Sequence, residues 1–224
     1  MPSVPSGGLD ARDLDRAFRE ALDAQRMRVG AWTNTYRLAG VTAWLAIALF
    51  AGGRVPHWRS QVPLLAAYLA VALGILILRR WSDLARRITY AGLAVVDVPM
   101  IYLLQRQTVA YDPYPDATAR FSLAMFLVLV LVSMTMLRRR LTVVTALLGG
   151  ILEIALVEQG GVAQPERFNV ELAAAAMTLF AAVAAVRGIG RATELVRATA
   201  SEQIARARLH RYFSPQVAAR LGDT

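Results

Sequence analysis

The chain contains no cysteine and no lysine, and it has only two histidines among its 224 residues. The absence of cysteine excludes a disulfide scaffold and a cysteine-ligated metal domain. His57 and His210 are far apart in the sequence, and two isolated histidines indicate neither a metal site nor a catalytic base. A glycine-rich phosphate loop is also lacking, because Gly188-Ile189-Gly190 has no strand before it. We predict that this tripeptide is a flexible joint.

Hydrophobic residues make up 56% of the chain, which excludes a disordered tail and favours a membrane protein. A membrane-spanning helix needs about 20 mostly apolar residues. The first apolar run follows a long charged segment, so it does not resemble a cleavable signal peptide. The sequence therefore predicts an all-α polytopic membrane protein with six transmembrane helices. The cores of the six apolar runs are residues 35–52, 61–78, 88–105, 119–137, 141–157 and 168–187.

All 25 basic residues are arginine, and their positions predict the topology of the chain. Twenty of them lie before or at the start of the first run, in the second and fourth connections, or at the end of the sixth run and beyond it, and Arg37 belongs to the first of these groups. Arginine accumulates on the cytoplasmic side of membrane proteins. We therefore expect both termini in the cytoplasm and the protein in a bacterial inner membrane. The net charge of +9 then reflects topology, and no nucleic-acid partner is expected.

The segments outside the apolar runs define the predicted domain organisation. Residues 1–33 form a cytoplasmic amphipathic segment, 34–187 the six-helix domain, 188–209 a linker helix and 210–224 a short lead-in. The amphipathic segment either lies on the membrane surface or contacts a cytoplasmic domain or a second protomer. Its apolar positions recur at helical spacing: Leu9, Leu14, Phe18, Leu22 and Met27.

Three acidic residues lie within the apolar runs, namely Asp97, Glu153 and Glu171. An unpaired charge inside a membrane costs at least about 2.5 kcal/mol, so such residues often mark functional sites. The three carboxylates are candidates for a shared ion or ligand site, with Asp97 ranked first because Pro99 beside it interrupts helical hydrogen bonding. Alternatively, each acid is protonated or bonded to a neighbour and only stabilises helix packing.

Small residues in the fifth and sixth runs predict close helix packing. Gly149 and Gly150 lie in the fifth run, and the sixth contains the alanines of 173–176.

The last forty residues are predicted to connect the membrane domain to a cytoplasmic one. After the sixth run, apolar positions recur at intervals of three and four, which indicates a short parallel coiled coil. Ser214 and Pro215 then suit the N-cap and the first position of a new helix. The residues assigned to this transduction linker are Gly188, Gly190, Val196, Ile204, Tyr212, Phe213, Ser214 and Pro215.

The run Arg211-Tyr212-Phe213-Ser214-Pro215-Gln216-Val217-Ala218, followed by Leu221, resembles the lead-in that directly precedes the catalytic domain of many bacterial class III adenylate cyclases. The overall layout of six short-looped spans and a helical linker is similar to the membrane anchor of that family. The motif covers about a dozen residues and is fairly specific, whereas the six spans match only in pattern.

The resemblance implies a parent protein that converts ATP to cyclic AMP and diphosphate, a phosphorus-oxygen lyase. It implies a homodimer, because two cytoplasmic domains pair to form the active site. Residues up to Thr224 contain no counterpart of the family's two metal-binding aspartates, so no catalytic residue is assigned, and Mg²⁺ or Mn²⁺ is expected only in that catalytic domain. The lipid bilayer and an unidentified small ligand are the other expected partners.

A stand-alone small transporter or ion-binding membrane protein is the alternative. It is disfavoured by the lack of a clear inverted repeat between the two halves of the six runs.

Overall fold

The computed structural model describes residues 11–53, 56–81, 92–112, 114–161 and 166–212. Within these ranges the chain is almost entirely helical and contains no strand, which confirms the all-α prediction. A short π-helical turn, Leu93–Asp97, precedes α3. The six α-helices are α1 (Ala11–Ala51), α2 (Pro56–Trp81), α3 (Val98–Tyr111), α4 (Pro115–Thr135), α5 (Arg139–Gln159) and α6 (Glu166–Tyr212).

Four stretches are long and apolar enough to cross a membrane: Trp58–Leu78, Pro115–Thr135, Arg139–Gln159 and Glu166–Gln203. They correspond to the second, fourth, fifth and sixth predicted runs. The first and third predicted runs do not reach this standard within the described residues. Asn34 lies directly before the first run and Arg37 near its start, and α3 has only 14 residues.

The third predicted run is divided by the π-helical turn. The backbone N–H of Val98 donates to the carbonyl of Leu93, five residues back. Pro99 follows directly, and it has no N–H with which to continue the ordinary α-helical ladder. A π-helical turn at this point accommodates the missing hydrogen bond and places Asp97 at the junction with α3.

The chain is divided into two compact units. One consists of Val29–Ile189, and the other of Met1–Arg28 together with Gly190–Thr224. The larger unit contains the apolar helices and three buried clusters. Its main cluster joins α3, α4 and α5 through Val98, Val109, Ala119, Phe126 and Leu156.

Two further clusters complete the core of the larger unit. Ala48, Leu65 and Leu104 pack α1 and α2 against α3. Val130, Ala146 and Ala185 pack α4, α5 and α6 together. Every helix of this unit thus contributes buried apolar surface to at least one cluster.

The predicted role of the glycines in α5 is confirmed by their close contacts. A Cβ atom added at Gly149 would lie 3.3 Å from the Cβ of Phe126 in α4. One added at Gly150 would lie 3.3 Å from the Cγ2 of Thr178 in α6. Adjacent glycines therefore let α5 approach a different helix on each side.

Gly188-Ile189-Gly190, predicted as a flexible joint, has an α-helical backbone inside α6, and the boundary between the two units falls within it. Two glycines cost a helix about 1 kcal/mol each relative to alanine, which surrounding contacts offset. Ile189 is 1% exposed, and a Cβ at Gly188 would lie 2.5 Å from the terminal methyl of Met134. Ile189 is thus a buried residue of the larger unit, while the two glycines beside it are half-buried.

Candidate functional site

The most polar part of the interior is a buried ion pair between α1 and the π-helical turn. The Nε of Arg37 donates to one carboxylate oxygen of Asp97 at 2.6 Å, and Nη2 donates to the other at 2.7 Å. The two residues retain only 7% and 4% exposure. Such two-point pairing fixes both the distance and the orientation of the guanidinium and the carboxylate.

Two neutral side chains extend this pair into a four-residue network. The Tyr68 hydroxyl of α2 donates to the Asp97 carboxylate at 2.7 Å. Nη1 of Arg37 donates to the side-chain oxygen of Asn34, one turn earlier in α1, at 3.0 Å. Tyr68 and Asn34 are also buried. We call Asn34, Arg37, Tyr68 and Asp97 the polar network.

The polar network connects three separate elements at one point. Asn34 and Arg37 come from α1, Tyr68 from α2, and Asp97 from the turn before α3. Gly92 completes the site, because a Cβ there would lie 3.3 Å from Nη2 of Arg37. Removing one partner from a buried ion pair typically costs about 3–5 kcal/mol, since the other charge is left unpaired. The network is therefore a strong and directional attachment of α1 to the rest of the larger unit.

Asp97, the first candidate site residue, thus has a protein cation as its partner. Arg37 lies inside the bundle, so it does not belong to the exposed cytoplasmic charges among which the sequence analysis counted it. The amide nitrogen of Asn34 has no hydrogen-bond partner among the described residues.

Glu153, the second candidate, lies in α5 and is 1% exposed. Its carboxylate is bonded to the hydroxyl of Ser122 in α4, and that hydroxyl also contacts the backbone oxygen of Ala119 at 2.6 Å. This bond connects α4 to α5 next to the main apolar cluster. No arginine pairs with Glu153 among the described residues, so it differs in kind from Asp97.

Glu171, the third candidate, lies near the start of α6 and is partly exposed. Its carboxylate accepts a hydrogen bond from Nε of Arg167 at 2.7 Å, one turn earlier. Arg167 also pairs with Glu158 at the end of α5. The side chains of these ion pairs are partly exposed, with exposed fractions from 26% to 55%.

The three carboxylates therefore have three different sets of partners in the structure. Asp97 is bonded to Arg37 and Tyr68, Glu153 to Ser122, and Glu171 to Arg167. Within the described ranges, no group of three or more histidine, cysteine or acidic side chains could hold a metal ion. The contacts favour the alternative in which each acid stabilises helix packing.

The residues of the predicted transduction linker lie in or beyond the last helix. Gly188, Gly190 and Val196 are described within α6, and the backbone of Ile204 and Tyr212 continues that helix. Phe213, Ser214 and Pro215 lie outside the described residues. The helix thus includes every described residue that was assigned to the linker.

Within the smaller unit, the amphipathic segment contacts the linker part of α6. Arg197 pairs with Asp15 at 3.4 Å, and its guanidinium carbon lies 5.7 Å from the centre of the Phe18 ring. Leu22 and Ala200 are buried in this unit at 8% and 4% exposure. The predicted amphipathic segment therefore contacts the linker part of α6 in the same chain.

Sequence reasoning missed Arg37, Tyr68 and Asn34 as members of the site. Periodicity identifies a helix face, but it does not identify the partner of a side chain on another helix. One signal was available: Arg37 and Asp97 are opposite charges in the first and the third apolar runs, where each needs a partner. Pairing such charges across runs would have found the ion pair.

No protein-family model, curated protein or solved structure matches the chain.

Proposed function

We propose that the chain is the membrane and transducer module of a class III adenylate cyclase. In this proposal the chain has six spans in a bacterial inner membrane, with both termini in the cytoplasm. The cyclase domain of the parent protein converts ATP to cyclic AMP and diphosphate with Mg²⁺ or Mn²⁺. The observation that carries the proposal is the extent of α6, from Glu166 to Tyr212.

The extent of α6 matters because of what it connects. Its first part is an apolar stretch able to cross a membrane, and its last residue, Tyr212, belongs to the lead-in that resembles the family motif. A continuous helix transmits rotation and displacement along its axis, whereas a disordered linker would absorb them. The helix therefore suits an element that conveys the state of the membrane domain to a catalytic domain.

Dimerisation belongs to the same proposal, because a cyclase active site of this family requires two catalytic domains. Leu195 on the linker part of α6 is 70% exposed, although the surrounding sequence is mostly polar. A large exposed apolar side chain at this place is suited to contact a second copy of α6. Arg197, nearby on the same helix, contacts Asp15 and Phe18 of its own chain.

The polar network has a structural part in this proposal. It fixes α1 to α2 and α3, so that α1 and the rest of the larger unit move together. We assign no catalytic step to any residue of this chain.

The test is a fusion of residues 1–224 to a cyclase domain of known activity, with residues inserted after Ala198. Each added residue rotates everything beyond it by about 100° about the helix axis. One added alanine should therefore change cyclic AMP production in isolated membranes severalfold. Seven added residues complete nearly two turns and should restore the original production.

Equal amounts of membrane-inserted fusion protein, measured by immunoblot, control for expression. Production that is the same for insertions of one, four and seven residues would contradict coupling through α6. Production that falls steadily with length would likewise contradict it, because only helical phase predicts recovery.

The alternative function, an ion-binding or transporting membrane protein, is favoured by one observation. Glu153 is 1% exposed inside an apolar helix and is bonded to a hydroxyl rather than to an arginine. The alternative predicts cation or proton flux into liposomes that contain the purified chain, and loss of that flux in Glu153→Gln. The transducer proposal predicts no flux in either protein.

A further inference from the structure

A long apolar groove lies between α5 and α6 in the larger unit. Its cavity has a volume of ≈ 530 Å³. Small side chains on both helices leave this space, and large apolar side chains border it. Representative lining residues are Val143, Gly150, Ile154, Ala175, Ala182 and Arg187.

One charged group at the end of the groove distinguishes it from an ordinary gap between helices. Arg187 lines one end of the groove, is exposed, and has no ion-pair partner in the described part of the chain.

The length of the groove matches one leaflet of a bilayer. On α6 it extends from Ala175 to Arg187, which is about 18 Å of helix. One leaflet of hydrocarbon is about 15 Å thick, half of the usual 30 Å core. An acyl chain lying along the groove would therefore place its headgroup beside Arg187.

The charge at the end of the groove favours an anionic headgroup. Val143, near the start of α5, lines the same groove, and Arg138, Arg139 and Arg140 lie at the N-terminal end of that helix. Basic side chains at the membrane surface attract anionic lipids. We infer that the groove between α5 and α6 binds one anionic phospholipid, with an acyl chain along Gly150 and Ala182 and its phosphate at Arg187.

A second copy of the chain fits the groove less well than a lipid does. A parallel dimer with the groove of one chain against the groove of the other would bring two Arg187 side chains to the same level, and Arg187 has no ion-pair partner in the described part of the chain. Two such arginine side chains would repel each other, whereas a phosphate group would neutralise the charge of Arg187. The exposed Leu195, which we assign to dimerisation, belongs to the other unit of the chain.

The experiment is native mass spectrometry of the full chain released from nanodiscs that contain equal amounts of phosphatidylglycerol and phosphatidylcholine. The wild-type chain should retain one phosphatidylglycerol in preference to phosphatidylcholine. Arg187→Gln should lower that preference about fivefold, because one basic residue near the surface has an effect of that size. The matched control is Arg106→Gln, which removes an exposed arginine of α3 that does not line the groove.

A second pair of variants tests the acyl site. Ala182→Phe fills the groove and should abolish retention of the lipid, whereas Ala184→Phe adds the same ring at an exposed position outside the lining and should not. If Ala182→Phe does not fold, the two arginine variants decide the matter alone.

Three results would overturn the inference. Equal loss of preference in Arg187→Gln and Arg106→Gln would show attraction by general surface charge. Equal retention in Ala182→Phe and Ala184→Phe would show that the groove does not hold the lipid. Loss of a chain dimer in Ala182→Phe with unchanged lipid would place a second copy there.

Discussion

The two sides of the larger unit are held together by different means. Around α1, α2 and α3, a buried ion pair with two supporting side chains joins the elements at one point. Around α4, α5 and α6, glycine and alanine allow close packing, and the ion pairs, such as Arg120 with Glu166, lie where the side chains are exposed.

This difference teaches where the fold is sensitive and where it is tolerant. Apolar packing is distributed over many contacts, so the loss of one contact lowers the free energy of unfolding only slightly. The groove between α5 and α6 remains open beside this packing. The ion pair depends on only two residues, so the loss of either one leaves the charge of the other buried and unpaired. The polar side therefore fixes one arrangement, while the apolar side leaves room for lipid.

The largest expected effect comes from breaking the ion pair. Asp97→Asn should lower the free energy of unfolding by about 3–5 kcal/mol, because Arg37 would remain buried beside a neutral amide. Unfolding of the purified chain in mixed detergent micelles measures this change. Asp116→Asn, which affects an exposed pair with Arg120, should cost no more than about 1 kcal/mol. Equal losses in the two variants would abolish the distinction between buried and exposed pairs.

A smaller effect is expected from removing one hydrogen bond of the polar network. Tyr68→Phe deletes the hydroxyl that donates to Asp97 and should cost about 1.5–3 kcal/mol in the same unfolding measurement, since bonds to charged groups are the stronger ones. Tyr114→Phe alters a tyrosine that is 70% exposed and should have little effect. A Tyr68→Phe variant as stable as wild type would exclude the tyrosine from the network.

On the apolar side, Gly149→Ala tests close packing. The added Cβ would meet Phe126, which is 1% exposed and unable to withdraw, so we expect a loss of about 1 kcal/mol of unfolding free energy. Gly74→Ala is the control, because nothing lies within 4 Å of a Cβ there. That control should stabilise the helix by up to about 1 kcal/mol. Stabilisation by both substitutions would show that α4 and α5 are not closely packed.

The smallest effect is expected for the exposed contact in the smaller unit. Arg197→Gln should cost no more than about 1 kcal/mol locally, seen as faster amide hydrogen exchange around Asp15 and Phe18. High salt should produce part of the same change in the wild-type chain, because exposed pairs are screened. Exchange that is unaffected by both treatments would show that the contact does not hold these segments together.

The helices and the close packing of α5 could be predicted from the sequence because each depends on local pattern. Apolar runs of sufficient length indicate helices, and Gly149 and Gly150 lack the side chains that would keep neighbouring helices apart. Four of the six predicted runs are also long and apolar enough in the structure to cross a membrane.

The rest depends on contacts between distant residues. The bonding of Asp97 to Arg37 and the close approach of Met134 to Gly188 are each determined by a neighbour from another part of the chain. Local periodicity contains no information about those neighbours. The candidate acids were therefore located correctly within helices, while their partners could not be read from the pattern.

The most direct test of the account is a double-mutant cycle on Arg37 and Asp97. We predict that Arg37→Met and Asp97→Leu each cost about 3–5 kcal/mol of unfolding free energy, because each leaves one buried charge alone. The double variant, which leaves no charge, should cost clearly less than the sum of the two. Losses that simply add would contradict the central claim that this ion pair holds α1 to the rest of the larger unit.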